Sequence, residues 1–181
     1  MLPTVIILAA GRGERFAASG GSVHKLQALL AGKPVLQHTL DAVQASGLPH
    51  HVVQADASRP GMGDSIAAGV RATPEATGWL VLPGDLPLIQ ANTLRQIALA
   101  LAGQRAVVPV CKGQRGHPVA FAAELGPALQ KLKGNQGAAQ LLLAGTATEL
   151  IVNDTGCTTD IDTLQDLQMA ELLLRARGTD A

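Results

Sequence analysis

The chain has 181 residues, of which 47% are apolar and only 2% aromatic, with 14 acidic against 14 basic side chains. That length suits a single domain, residues 1–181, around one core of Leu, Val, Ile and Ala. The even charge balance argues against electrostatic attachment to nucleic acid or to an anionic membrane surface. No stretch approaches the roughly 20 apolar residues of a spanning helix, and the run Val5 to Leu8 is too short for the core of a signal peptide. Cys111 and Cys157 have no CxxC partner and read as reduced thiols of a cytoplasmic protein.

The first element is the apolar, β-branched run from Val5 to Leu8, whose unbroken hydrophobicity fits a central strand covered on both faces. It breaks directly into Ala9-Ala10-Gly11-Arg12-Gly13-Glu14-Arg15-Phe16. Gly11 and Gly13 are expected to take positive φ and let the backbone approach a ligand. Successive N–H groups in such a turn can hold an anion, and Arg15 adds a fixed charge beside them. Lys25, in His24-Lys25-Leu26, can reach the same place as a point charge. A strand leading into this loop points to a polyphosphate.

Next, Pro34 opens a helix carrying Val35, Leu36, Leu40 and Val43, which ends at Ser46-Gly47. His51 to Gln54 is a short strand. A turn-rich loop, Arg59 to Gly63, leads to a helix through Ile66, Ala67 and Val70, with Asp64 or Ser65 as its N-cap. Trp79 to Leu82 is a third strand running into Pro83-Gly84-Asp85-Leu86-Pro87. Asn92 to Leu101 is a helix and Ala106 to Val110 a fourth strand. Cys111 to Gly116 followed by Pro118 to Phe121 reads as a hairpin at one end of the sheet. Short helices, Glu124 to Lys131 and Gly137 to Leu143, flank residues 133–136. A late strand, Glu149 to Val152, and a closing helix, Asp162 to Arg175, complete the order. Strands alternating with helices define a three-layer α/β sandwich with a mostly parallel sheet. Ligands in such sheets bind at the carboxyl ends of the strands.

The loop does not match the dinucleotide fingerprint, since Phe16 stands where the third glycine belongs. Nor does it match a P-loop, since Lys25 lacks the preceding glycine and the following Ser or Thr. The histidines show no zinc-ligand spacing, and Ser65 has no paired base for covalent catalysis. Asp85 lies past a buried strand, where one carboxylate suffices to begin an Mg²⁺ site completed by phosphate oxygens and water. In Thr159-Asp160-Ile161-Asp162-Thr163, Asp162 is placed as the N-cap of the last helix, which leaves Asp160 free to face a metal. His117, in Arg115-Gly116-His117-Pro118, reads equally well as a substrate contact or as a hairpin residue bonded to backbone.

Six segments, taken together and in this order, resemble the MobA/MocA-like nucleotidyltransferases, and most nearly the molybdenum cofactor cytidylyltransferases. They are Leu8 to Phe16, His24 to Leu26, Gly61 to Val70, Pro83 to Pro87, Arg115 to Pro118 and Asp160 to Thr163. The resemblance implies a Rossmann-like α/β/α sandwich of the nucleotide-diphospho-sugar transferase type. It implies a nucleoside triphosphate bound along Leu8, Ala9, Ala10, Gly11 and Gly13, with Arg15 and Lys25 on its phosphates. Gly61 and Ser65 would meet the base or ribose, Gly84 would lie beside the nucleotide, and Asp85 with Asp160 would hold Mg²⁺. Arg15, Lys25 and Asp85 carry the chemistry in this reading. His117 contacts the acceptor, a pterin-type phosphate such as molybdopterin, and a molybdoenzyme is the implied partner.

Ala10 stands where guanylyl-transferring relatives have Gly, which selects CTP. Two departures stand out. The family commonly shows Gly-Asp-x-Gly-Ala-Arg where this chain has Gly134-Asn135-Gln136-Gly137-Ala138-Ala139. The chain also has an insertion, Ala17 to Ser22, read here as a lid over the triphosphate. The first departure keeps open a non-catalytic nucleotide- or pterin-binding accessory protein, and the same chemistry with GTP or another phosphorylated acceptor.

Overall fold

The computed structural model describes residues 2–56, 61–142 and 147–179. Its central sheet contains β1 (Thr4–Ala9), β4 (His50–Gln54), β5 (Gly78–Pro83), β6 (Ala106–Cys111), β7 (Gln114–Arg115), β8 (Val119–Ala122) and β9 (Ala147–Ile151). β1 pairs in parallel with both β4 and β5, and β6 pairs in parallel with β9. A short hairpin, β2 (Leu29–Leu30) with β3 (Lys33–Pro34), stands apart. The mostly parallel α/β sandwich expected from the alternation of elements is the fold observed.

Strand alternation decides the layers, because successive side chains point to opposite faces. Val5 and Ile7 of β1, with Leu80 and Leu82 of β5, pack against α2 (Val35–Ser46) and α4 (Ala91–Ala100) through Val43, Leu94 and Ile97. Ile6, Trp79 and Val81 face the other way, onto α3 (Met62–Ala72) and α5 (Gly126–Leu129) through Ile66, Val70 and Leu129. Ile6, Ile7, Leu80 and Leu82 have no exposed surface, and each such side chain contributes roughly 1.5–3 kcal/mol of burial. A third cluster lies towards the site, where Phe16, Leu26, Leu30, Leu88, Ile161 and Ala170 join α1 (Glu14–Ala18) and the β2–β3 hairpin to α6 (Leu164–Thr179).

The hairpin after β6 is not at one end of the sheet. β8 runs antiparallel between β5 and β6, with Val81 opposite Val119 and Val107 opposite Ala120, while β7 pairs with the outer half of β6. Ala120 and Phe121 are fully buried there. Chain order alone does not reveal that the strand returns inward to cover edges that β5 and β6 would otherwise leave unpaired.

Two helix starts also differ from the sequence expectation. α3 begins at Met62 with Gly61 as its N-cap, and the Asp64 carboxylate reaches back to accept from the Gly61 N–H at 3.3 Å. Arg59 and Pro60, part of the turn expected there, lie outside the described residues, as does Leu143. α6 is started by Thr163 and Asp166. The Thr163 N–H donates to Asp166 at 2.7 Å, and the Asp166 N–H donates to the Thr163 hydroxyl at 3.2 Å. This is a reciprocal capping arrangement, and it leaves the Asp162 side chain free of the capping role assigned from sequence.

Candidate active site

A cavity of about 810 Å³ opens at the carboxyl ends of β1, β5 and β6. The turn after β1 forms one wall, contributing Leu8, Ala10, Gly11, Gly13 and Arg15. Only Gly13 takes the left-handed conformation there, at φ 67°. That φ is what favours glycine here, since a Cβ would only reach ordinary contact with the His24 ring at 3.4 Å. Gly11 keeps ordinary φ, contrary to expectation. Its carbonyl instead lies 2.6 Å from His24 Nε2, which ties the loop to the segment carrying Lys25. Ala9 and Gly84 do not line the cavity. Ala9 is in the core, and Gly84 splices β5 to β1 by donating its N–H to the Leu8 carbonyl at 3.0 Å.

Facing the turn is a set of charges brought together from three distant segments. Lys25 Nζ donates to Asp85 Oδ2 at 2.6 Å and to Asp162 Oδ1 at 2.8 Å. Arg15 Nη1 lies 2.6 Å from the other oxygen of Asp162. The Lys25, Asp85 and Asp162 side chains are only 12%, 14% and 17% exposed, whereas Arg15 is 78% exposed. Burial by itself would lower the Lys25 pKa, but the two carboxylates more than offset it and hold the ammonium above its ordinary 10.5. Lys25 is therefore a cation throughout the neutral range.

Asp162, taken from sequence as a cap, is thus a member of the site. The signal that could have shown this was the Thr163–Asp166 pair, which supplies the cap without it. Asp160 lines the same cavity. Desolvation raises its pKa, with the charges of Asp162 and Asp85 adding to the effect.

The third wall is the β6–β8 hairpin. Its backbone is held by Gly116 N–H to Pro109 O and His117 N–H to Cys157 O, both at 2.8 Å. The His117 ring opens onto the cavity and precedes a cis peptide to Pro118. Desolvation lowers its pKa against the opposing pull of Asp85 and Asp160, so at neutral pH the ring is an uncharged hydrogen-bonding group. Cys157 beneath it is buried, and desolvation, followed by Asp154 and Cys111, pushes its thiol up to about 12. That excludes a thiolate nucleophile at neutral pH. Both cysteines are free thiols, as read from the sequence, and both are buried.

The remaining wall is the start of α3 with the segment that departs from the family pattern. Gly61, Met62, Ser65, Gly134 and Asn135 reach the cavity. The two stretches lie against each other, with Gly63 N–H to Gly134 O at 2.8 Å and Gly134 N–H to Asp64 at 2.9 Å. A Cβ on Gly61 would fall 2.0 Å from the Gly134 carbonyl, so this approach requires glycine. The Ser65 hydroxyl donates back to the Gly61 carbonyl at 3.1 Å. The insertion expected to act as a lid does not line the cavity. Ser19 donates to the Phe16 carbonyl at 2.8 Å and accepts from the Leu164 N–H at 3.0 Å, pinning the insertion to the start of α6.

Among the described residues, no group of three or more His, Cys, Asp or Glu is gathered as a metal cage. Mg²⁺ does not require one, because it is usually held by one or two carboxylates with phosphate oxygens and water. Asp85 Oδ1 is buried without a hydrogen-bond partner, an unsatisfied acceptor of the kind that calls for an explanation. With one further carboxylate, Asp160 or Asp162, it fits a divalent cation.

Comparison with known proteins shows the family. Residues 5–149 match the MobA-like NTP transferase domain, and the chain belongs to that family of nucleotidyltransferases. It is 33% identical over 124 residues to the purine catabolism protein PucB of Bacillus subtilis, covering 66% of this chain and 59% of that one. It is 34% identical over 122 residues to the bifunctional protein GlmU of Aromatoleum aromaticum, covering 56% and 26%. The chain thus spans about a quarter of the length of the GlmU proteins it matches. Among solved structures, Rv0371c of Mycobacterium tuberculosis superposes with TM-score 0.76 at 25% identity over 93% of this chain and 96% of that one. A nucleotidyl transferase from Methanothermobacter, Mth528, gives 0.76 at 24% identity over 97% and 99%. A manganese complex of Rv0371C gives 0.71 at 24% identity over 93% and 97%. No helix among the described residues is long and apolar enough to cross a membrane.

Proposed function

We propose that this chain is a cytoplasmic, Mg²⁺-dependent nucleotidyltransferase that moves CMP from CTP to the phosphate of molybdopterin or of its molybdenum-loaded form. The observation that carries the reading is the juxtaposition, in one cavity, of Lys25 and Arg15 with Asp85 and Asp162, beside a glycine-containing turn at the end of β1. Cations placed to receive a triphosphate stand next to carboxylates placed to hold a divalent ion. The manganese in the Rv0371C structure favours the same chemistry here.

An oxygen of the acceptor phosphate attacks the α-phosphorus of CTP. The new P–O bond forms as the bond to the bridging oxygen breaks, and pyrophosphate leaves with the electron pair. A phosphate nucleophile is already ionised at neutral pH, so no general base is needed. Catalysis then rests on positioning and charge neutralisation. Arg15 and Lys25 neutralise charge on the α-phosphate and the departing pyrophosphate. Asp85 would hold Mg²⁺ with Asp160 or Asp162, and the bound ion would supply Lewis-acid polarisation of the α-phosphate. Neutral His117 would orient the acceptor by hydrogen bonding.

Pyrophosphate release is the test. The protein is incubated with Mg²⁺, molybdopterin and either CTP or GTP. Release with CTP above GTP is expected, while binding of both ligands without release would replace the enzyme by a carrier that delivers its ligand to a molybdoenzyme. Asn135, which lines the cavity where the family pattern has Asp, favours a second reading with the same chemistry on a different phosphorylated acceptor. A panel of acceptors in the same assay separates the two.

A further inference from the structure

Three of the carboxylate oxygens around the proposed divalent-ion site, Asp85 Oδ2 and both oxygens of Asp162, are engaged by the protein's own cations. Asp85 turns Oδ1 inward, where it is buried, and its other oxygen, Oδ2, is bonded to Lys25 Nζ at 2.6 Å. The same ammonium is bonded to Asp162 Oδ1 at 2.8 Å, and the other Asp162 oxygen is held by Arg15. An ammonium and a divalent cation competing for one carboxylate repel each other, and the low exposure of Lys25 and Asp85 weakens the screening that water would supply. A metal ion that bridges Asp85 Oδ2 and Asp162 must therefore expel Lys25 from two charge-assisted hydrogen bonds. A triphosphate at the neighbouring turn gives that ammonium somewhere else to go.

We infer that Lys25 is an internal counter-ion that keeps the divalent-ion site closed until a nucleoside triphosphate draws it away, so that metal and nucleotide bind as mutually dependent ligands. The inference rests on the assignment of Asp85 as a metal carboxylate. Because coupling between two ligands is reciprocal, whatever the nucleotide does for metal affinity, the metal does for nucleotide affinity. Lys25 then has two successive roles. It neutralises Asp85 and Asp162 before substrate arrives and the phosphates afterwards, so the cavity does not hold two unpaired buried carboxylates at either stage.

The experiment is Mn²⁺ binding to the nucleotide-free protein, followed by the loss of the free-ion EPR signal, for wild type, Lys25→Met, Lys25→Gln and Lys25→Met with Asp85→Asn. Both single variants are expected to bind Mn²⁺ about tenfold or more tightly than wild type, a coupling of ordinary size. Gln keeps a polar group at the position should Met impair folding, which circular dichroism would report. Wild type binding Mn²⁺ as tightly as the folded Lys25 variants would overturn the counter-ion role while leaving Asp85 as a ligand. Tight Mn²⁺ binding that survives Asp85→Asn would overturn the metal assignment itself, and the inference with it.

Discussion

Asp85 hangs from a segment fastened on several sides. Gly84 N–H bonds the end of β1, the Thr39 hydroxyl donates to the Gly84 carbonyl at 3.0 Å, and Ile161 N–H donates to the carbonyl of Asp85 itself at 3.0 Å. Across the cavity, Arg12 in the turn and Glu14 and Arg15 at the start of α1 project side chains that are 69%, 76% and 78% exposed. In the proposed reaction those two walls meet opposite physical demands. A carboxylate that holds a small ion gains from being fixed beforehand, since reorganisation during reaction costs rate. A loop that must admit a large, flexible triphosphate gains from adjusting to it, and loses ordering entropy when it does.

The contrast can be broken at its rigid side first. Asp85→Asn is expected to lower turnover by about 100- to 1,000-fold, the scale seen when one charge-stabilising group is removed, with pyrophosphate release as the measurement. The fold should survive, because an amide can still accept from Lys25. Turnover near wild type would detach this wall from the chemistry. Next in size is Gly156→Ala, on the loop whose Cys157 carbonyl holds His117. A Cβ there would meet the Leu88 carbonyl at 2.0 Å, and relieving such overpacking costs about 1–3 kcal/mol. A drop in Tm of several degrees would register it, whereas an unchanged Tm would mean that the frame is softer than its contacts suggest.

The exposed side should respond differently. Arg15→Ala removes an exposed ion pair to Asp162, and such pairs contribute about 0–1 kcal/mol. Tm should hardly move, while KM for the triphosphate rises by about five- to tenfold, close to the scale of one lost charge-assisted contact. A fall in Tm without a change in KM would reverse the assignment. The smallest effect belongs to Asp160. Burial raises its pKa above the ordinary 3.8, so the folded state prefers the protonated carboxyl. Its contribution to stability is present below pH 3.8 and is lost as pH rises through the folded-state pKa. Asp160→Asn escapes that loss, and its Tm should exceed that of wild type at pH 7 by more than it does near pH 3. An equal difference at both would show that Asp160 is not destabilised by its surroundings.

The strands and the helices between them were legible because alternation and apolar runs are local properties of the chain. Pairing is not local. Pro118 to Phe121 was recognisable as an extended segment, but its place is decided by two other strands, β5 and β6, whose facing edges it fills. The site divides in the same manner. The turn after β1, Lys25, Asp85 and His117 carried their signal in neighbouring residues. Asp162 did not, because an Asp ahead of a helix satisfies the rule for a cap, and its partners Lys25 and Arg15 lie more than 130 residues earlier in the chain. Gly84 was over-read: its neighbour Asp85 faces the cavity, but the glycine itself is there to let two strands join closely.

Because β8 runs against its neighbours in the middle of the sheet, the bend that precedes it emerges at the mouth of the cavity rather than at the far side. An ordinary parallel crossover would have delivered a helix there and spent a dozen or more residues on it. Here a connection of a few residues brings His117 to the reacting end, tethered at both ends by strands already paired. The turn at residues 112–113, between β6 and β7, can therefore vary in length and chemistry while β6 and β8 stay in register. Under the proposed function, this makes the hairpin the place where a descendant of this chain would acquire a taste for a new acceptor without relearning how to fold.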